Sequence, residues 1–119
     1  NKKIILIDRF TDSTIAYQHF GMGVDLNLIE SLNKSLLKNI KVNFTFLNIV
    51  NQKNLKERLK KRKSLNRYDK FKMSFYNKVQ KGFIKLSKKQ KNKYQLINSN
   101  LEINKNERLI LSKIDKLIK

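Results

Sequence analysis

Four consecutive apolar residues, Ile4-Ile5-Leu6-Ile7, run directly into Asp8-Arg9, and this junction limits the possible folds more than any other stretch. A short run rich in β-branched residues, apolar on both faces, is the pattern of a strand buried within a parallel sheet. Asn1 to Ile7 is therefore expected to be a central strand. Ligands of open α/β sheets bind outside the carboxyl ends of the strands, which puts Asp8 and Arg9 at the mouth of a site. Arg9 offers a planar fork of donors suited to phosphate. Asp8 offers a carboxylate that can orient that fork or hold a hydrated metal ion. Thr11 or Asp12 is expected to cap a helical turn on which Thr14 and Gln18, four residues apart, share a face with Tyr17 nearby. A hydroxyl, an amide and an aromatic plane are groups that can read a nucleobase.

A parallel strand needs crossover connections, and the chain supplies them. Gly21-Met22-Gly23 breaks the first helix, and Asp25 caps a second one, extending to Asn39, with a stripe of Leu28, Ile29, Leu32, Leu36 and Leu37. Residues 41–50 are rich in β-branched and aromatic types and read as the next strand. From Gln52 the pattern turns helical and basic around Leu55 and Leu59, with Arg58 and Arg62 on one face. Ser64-Leu65-Asn66 interrupts it. A long helix follows with Phe71, Phe75, Val79, Phe83 and Leu86 at core spacing, ending at Ser87 before the polar run Lys88 to Lys91. Tyr94 to Asn98 reads as a last strand. Asn104 or Asn106 is expected to cap a terminal helix that buries Leu109, Ile110, Ile114, Leu117 and Ile118. The order β-α-α-β-α-α-β-α predicts one α/β domain, a three-layer sandwich with a parallel sheet.

Composition narrows the function. The chain has no cysteine and one histidine, His19, so neither a disulfide framework nor a zinc cluster is available, and no metal site is expected from its residues. That usage is compatible with a reducing cytoplasm. No apolar run approaches the roughly 20 residues that span a bilayer, so no membrane partner is expected and the chain is read as soluble and cytoplasmic. The formal net charge is +19, and lysine contributes 23 of the 28 basic residues. Scattered lysine among asparagine is the pattern of a solvated face, whereas specific phosphate or base recognition concentrates arginine with aromatic platforms. Nucleic acid is therefore not the expected partner. A basic nucleic-acid-binding module remains the alternative from a different functional class, distinguished by affinity that falls steeply with salt.

The run Asp8-Arg9-Phe10, with Ser13-Thr14, Ala16-Tyr17-Gln18, Gly21, Gly23 and Asp25, resembles the bacterial thymidylate kinase family in its aspartate-arginine-aromatic motif and thymidine-binding helix. The resemblance covers nearly the whole chain. It implies a P-loop nucleoside monophosphate kinase fold and transfer of the terminal phosphoryl of ATP to thymidine monophosphate, with magnesium, in the supply of thymidine triphosphate. It also implies Arg9 on the acceptor phosphate and Ser13, Thr14, Tyr17 and Gln18 on the nucleoside. A basic lid is implied over about residues 56–70, with Arg58, Arg62 and Arg67 facing the donor. Family members pair as homodimers, and the helix from Asp25 to Asn39 is a candidate contact.

Several positions depart from the family pattern. Met22 stands where arginine is common, Phe10 replaces tyrosine or histidine, and Val42-Asn43 replaces proline-aspartate. Asn66 and Asp69 fall on lid positions that usually hold aspartate and glutamate, while Ile49 and Asn98 each fall where aspartate is common. The sequence contains no G-x-x-x-x-G-K-[ST] loop, because its three glycines, Gly21, Gly23 and Gly82, begin none. The expectation is that residues 1–119 form the C-terminal part of a thymidylate kinase-like domain, without its first strand and phosphate loop, and are inactive alone. Another nucleoside or nucleotide kinase would share the strand and arginine logic but not the Ser-Thr-x-Ala-Tyr-Gln helix.

Overall fold

Aromatic and β-branched residues spaced four apart build the centre of the structure. The computed structural model describes residues 3–62, 64 and 72–119. Helix α4 spans Met73–Lys89 and buries Phe75 and Val79, with Phe83 and Leu86 half-buried beside them. This is the core face expected from the spacing, although Phe71 lies outside the described residues. Its partner is the motif helix, which begins as α1 (Thr11–Thr14) and continues as a π-helical segment, Ile15–Gly21. Ala16 is fully buried against Phe75 and Val79, and Tyr17, Tyr76 and Phe83 pack around them. Tyr17 meets Phe75 and Phe83 edge to face, with centroids 6.0 and 6.2 Å apart, a geometry that places ring edges against electron-rich faces.

Two glycines let these helices approach closely. A Cβ on Gly21 would lie 2.6 Å from the Phe75 ring, and one on Gly82 would lie 2.6 Å from the Phe20 ring. Gly23 serves a different purpose. It adopts φ +79°, which closes the turn after the π-helical segment. There the Gly23 and Val24 amides donate to the His19 and Gln18 carbonyls, and the His19 Nδ1 lies 2.8 Å from the Val24 carbonyl. The Asp25 carboxylate then accepts from the Asn27 amide at 2.8 Å and starts α2, Leu26–Leu37.

The sheet has two parallel strands among the described residues. β1, Thr45–Ile49, pairs in register with β2, Tyr94–Asn98, from Thr45 opposite Tyr94 to Ile49 opposite Asn98. Between them come α3 (Gln52–Lys61), capped by the Asn51 side chain, then α4 and a 3-10 turn at Lys91–Lys93. The Gln80 side chain accepts from the Val50 amide at 2.9 Å, fixing α4 to the end of β1. α5 closes the chain at Ile103–Ile118.

The structure corrects several expectations. Residues 4–7 are not in a strand, and Ile5 and Leu6 are 78% and 81% exposed. A strand is defined by its ladder, and β1 and β2 pair only with each other among the described residues. The strand expected over 41–50 is confined to Thr45–Ile49 for the same reason. Neither Thr11 nor Asp12 caps the motif helix, which starts at Thr11 with no side-chain cap. The π-helical turn, with its i→i+5 bonds, also removes Thr14 and Gln18 from the shared face that α-helical spacing predicts. α4 runs two residues past Ser87, whose hydroxyl donates back to the Ile84 carbonyl. Glu102 holds the cap position of α5, with Asn104 and Asn106 inside its first turn. Of the side chains expected to be buried there, Ile110 and Ile114 are half-buried and Leu109, Leu117 and Ile118 are exposed. On α2, Ile29 is buried but Leu28, Leu32 and Leu36 face solvent.

The glycine contacts give a direct test. Gly82→Val would press a branched side chain into the Phe20 ring, and such overpacking costs about 1–3 kcal/mol. That exceeds the several tenths of a kcal/mol gained by leaving glycine behind in a helix, roughly 0.5. Urea unfolding should show a net loss, and an unchanged or raised midpoint would refute the close approach.

Candidate active site

The Asp8-Arg9 junction keeps its place at the head of the motif helix. Arg9 has φ 61°, the left-handed region that residues with a Cβ rarely adopt. Its guanidinium lies 4.8 Å from the Tyr17 ring centroid and donates to the Tyr17 hydroxyl. A cation over an aromatic face contributes about 0.5–1 kcal/mol at an exposed site. This contact offsets part of the roughly 1–2 kcal/mol of the left-handed backbone. The π-helical segment and the Phe75–Phe83 edge of α4 hold Tyr17, so the core fixes the arginine through the tyrosine.

The expected site residues divide into three groups. Asp8, Arg9, Ser13, Tyr17, Arg58 and Arg62 all line one open cavity of about 1780 Å³. Thr14 and Gln18 do not line it, Thr14 being exposed and Gln18 half-buried. Arg67 lies outside the described residues, as do Asn66 and Asp69, so the lid is described only as far as Arg62 and at Ser64. Arg58 is held at its tip, its guanidinium donating to the Ser99 carbonyl at 2.5 Å. That bond ties α3 to the loop after β2.

An asparagine cluster lies at the carboxyl ends of both strands. Asn100 Oδ1 accepts from the Asn51 amide at 3.1 Å and from Asn54 Nδ2 at 2.8 Å, while Asn98 Oδ1 accepts from the Asn100 amide and side chain. The Asn106 side chain donates to the Asn98 carbonyl at 2.9 Å. Asn98, where relatives often carry aspartate, here organises a neutral network.

Sequence reasoning missed one contact altogether. The Tyr94 hydroxyl, at the start of β2, donates to the Asp12 carboxylate across 82 positions of sequence. Asp12 reads locally as a helix cap, and nothing nearby in the sequence marks it as the acceptor of a distant phenol. Burial first, and then the adjoining Asp12 carboxylate, raise the Tyr94 pKa well above its ordinary 10.0, against a smaller lowering by Thr45. Among the described residues no three histidine, aspartate or glutamate side chains converge as a metal site. Among them, too, no helix is long and apolar enough to cross a membrane.

Residues 1–110 match the sequence model of the family described as thymidylate kinase. The chain is 40% identical over 88 residues to the thymidylate kinase of Wolbachia pipientis wMel, covering 74% of this chain and 43% of that one. It is 33% identical over 115 residues to the thymidylate kinase of Wolbachia sp. subsp. Brugia malayi (strain TRS), covering 97% and 54%. The crystal structure of thymidylate kinase from Ehrlichia chaffeensis superposes with a TM-score of 0.57 at 28% identity, covering 94% of this chain and 49% of that chain. The shared fold is thus the α/β fold of that enzyme, and the chain spans about half the length of the curated relatives it matches.

The Asp12–Tyr94 bond predicts an alkaline signature. Because the folded-state pKa of Tyr94 is raised, the native state holds this proton more tightly than the unfolded state does. The associated stability is fully present below the unfolded value of about 10 and is lost as pH rises above it. Tyr94→Phe should lower stability at pH 8 by about 1 kcal/mol. It should also flatten the decline above pH about 10 relative to the parent chain in denaturant titrations. Superimposable alkaline profiles would count against the bond.

Proposed function

Because the chain belongs to the thymidylate kinase family, we propose that it is the portion of a thymidylate kinase that grips the acceptor nucleotide and carries the stem of the lid. The reaction of the whole enzyme moves the terminal phosphoryl of ATP to thymidine monophosphate, giving thymidine diphosphate for thymidine triphosphate synthesis. The contact that carries this reading is the Arg9 guanidinium set over Tyr17 on the cavity wall.

Phosphoryl transfer passes through a loose transition state, so the protein's contribution is positioning and charge stabilisation. A guanidinium has five N–H donors. Arg9 uses one on the Tyr17 hydroxyl and presents the others to the acceptor phosphate. Tyr17 packs its ring against the deoxyribose, with Ser13, Thr14 and Gln18 reading the thymine edge. Asp8, next in the chain, orients the arginine. Arg58 and Arg62 at the end of α3 supply positive charge toward the donor phosphates, a role shared with Arg67. Magnesium, when bound with ATP, neutralises charge on the transferred phosphoryl group.

The residues of this chain fit the acceptor better than the donor. The sequence has no glycine-rich phosphate loop, and among the described residues no carboxylate cluster converges on a cation. We assign the cradle for ATP and magnesium to the portion of the family's chain that this one does not span. A homodimer contact, where it forms, uses the outer stripe of α2, Leu28, Leu32 and Leu36, which faces away from the core.

The test is ATP-dependent phosphorylation of thymidine monophosphate by this chain and by a chimera that joins it to the unspanned portion of the Ehrlichia chaffeensis enzyme. The chain alone should show no turnover, and the chimera should be active. Arg9→Ala in the chimera should reduce kcat/KM on the order of 10²-fold, the scale of losing one preorganised charge-stabilising contact. A folded chimera that leaves thymidine monophosphate untouched would sink the assignment, and turnover by the chain alone would sink the division of the site.

A further inference from the structure

The surface of this chain is far larger than its mass requires. A compact monomer of 14.2 kDa exposes about 6,800 Å², whereas this one exposes 9846 Å². Its radius of gyration, 15.8 Å, likewise exceeds the roughly 13.5 Å expected at this length. The excess of about 3,000 Å² has the scale of an obligate interface, which resembles a domain core cut in half.

The open cavity shows where the cut lies. One wall is Ile4 to Ile7, and another is β1 from Thr45 to Asn48. Phe83 on α4 and Leu117 on α5 line it as well. Ile4, Ile5, Leu6 and Ile7 are 63%, 78%, 81% and 56% exposed, although their composition is that of a buried strand. No backbone hydrogen bond reaches these four residues among the described part of the chain. β1 has a partner on one side only, so its other edge presents unpaired amides and carbonyls. Two unpaired, strand-competent edges thus border one apolar cavity.

We propose that this cavity is a strand-accepting slot, and that its occupant is an apolar β-strand from the portion of a thymidylate kinase chain that this one does not span, bound even when the two are not covalently joined. The proposal rests on the family reading given above. The relatives carry about as much chain again as this one covers, enough to account for the excess surface. Strand addition supplies main-chain hydrogen bonds along both free edges, and apolar side chains above and below fill the cavity. Since β1 and β2 are parallel, the added strand is parallel too, with a continuous apolar run and no internal proline. A second copy of this chain suits the slot less well, because its own β2 already occupies one side of its β1.

The experiment co-expresses this chain, carrying an affinity tag, with the unspanned portion of the Ehrlichia chaffeensis thymidylate kinase as a separate polypeptide. Amide hydrogen exchange is read on the purified material, alongside thymidine monophosphate phosphorylation. The expected result is co-purification, with new protection at residues 4–7 and at those amides of 45–49 that do not bond β2. Leu6→Asp should weaken association at least tenfold. Because Leu6 is already exposed in the free chain, the variant should keep the free-chain protection of α4 and β2. Leu32→Asp, on the outer face of α2, should leave association unchanged. Failure to co-purify, or co-purification with residues 4–7 exchanging as fast as in the free chain, would overturn the proposal. Slot protection without phosphorylation supports the slot and counts against the kinase reading, whereas phosphorylation with an unprotected slot does the reverse.

Discussion

The packing of α4 on the motif helix is the interaction on which the rest depends. Ala16, Phe75 and Val79 make a small buried cluster, and Gly21 and Gly82 allow the two backbones to close on the rings opposite them. Without that approach Tyr17 has no fixed place, and without Tyr17 nothing holds the Arg9 guanidinium. The core is small, with seven buried apolar residues among those described, so each contact in it carries a large share of the tertiary order. Gln80 extends the same helix's influence to the end of β1, and Arg58 ties α3 to the loop after β2. The site is therefore assembled from bonds that reach it through α4 and the strand ends.

The elements that could be read in the sequence are those whose signals are local. Phe75, Val79, Phe83 and Leu86 mark α4 by their spacing, Asp25 marks the start of α2, and Tyr94 to Asn98 match β2 residue for residue. The Arg9–Tyr17 relation was legible too, because eight residues of a regular motif separate the pair. What escaped depends on groups far apart in the chain. The π-helical turn answers to packing against α4, since propensity alone favours an α-helix there. The Asp12–Tyr94 bond spans most of the sequence, and no local rule distinguishes a capping aspartate from one that accepts a distant hydroxyl. Residues 4–7 carry a correct local signal for a strand whose realisation needs neighbours.

Arg9 shows how backbone and side chain are balanced at the site. Its left-handed φ would favour glycine on steric grounds, yet only a guanidinium gains both the Tyr17 ring and the Tyr17 hydroxyl. Strained backbone persists where the surroundings over-determine it, and such positions cluster at binding sites. The same conformation turns the chain sharply from the extended segment into the motif helix, so the arginine's backbone and its head group serve one geometry.

The unpaired segment before Arg9 bears on that geometry directly. In a sheet, the direction of a side chain at a strand's carboxyl end is set by the ladder bonds on either side of the strand. Residues 4–7 have none among the described residues, so Arg9 is held from its helix side alone, through Tyr17. A strand seated between residues 4–7 and β1 would fix Asp8 and Arg9 from the opposite side, by registering the segment that carries them. Pairing of the sheet and preorganisation of the phosphate-binding arginine are then a single event. The fold's largest unfilled space and the incompleteness of its site have a common physical origin.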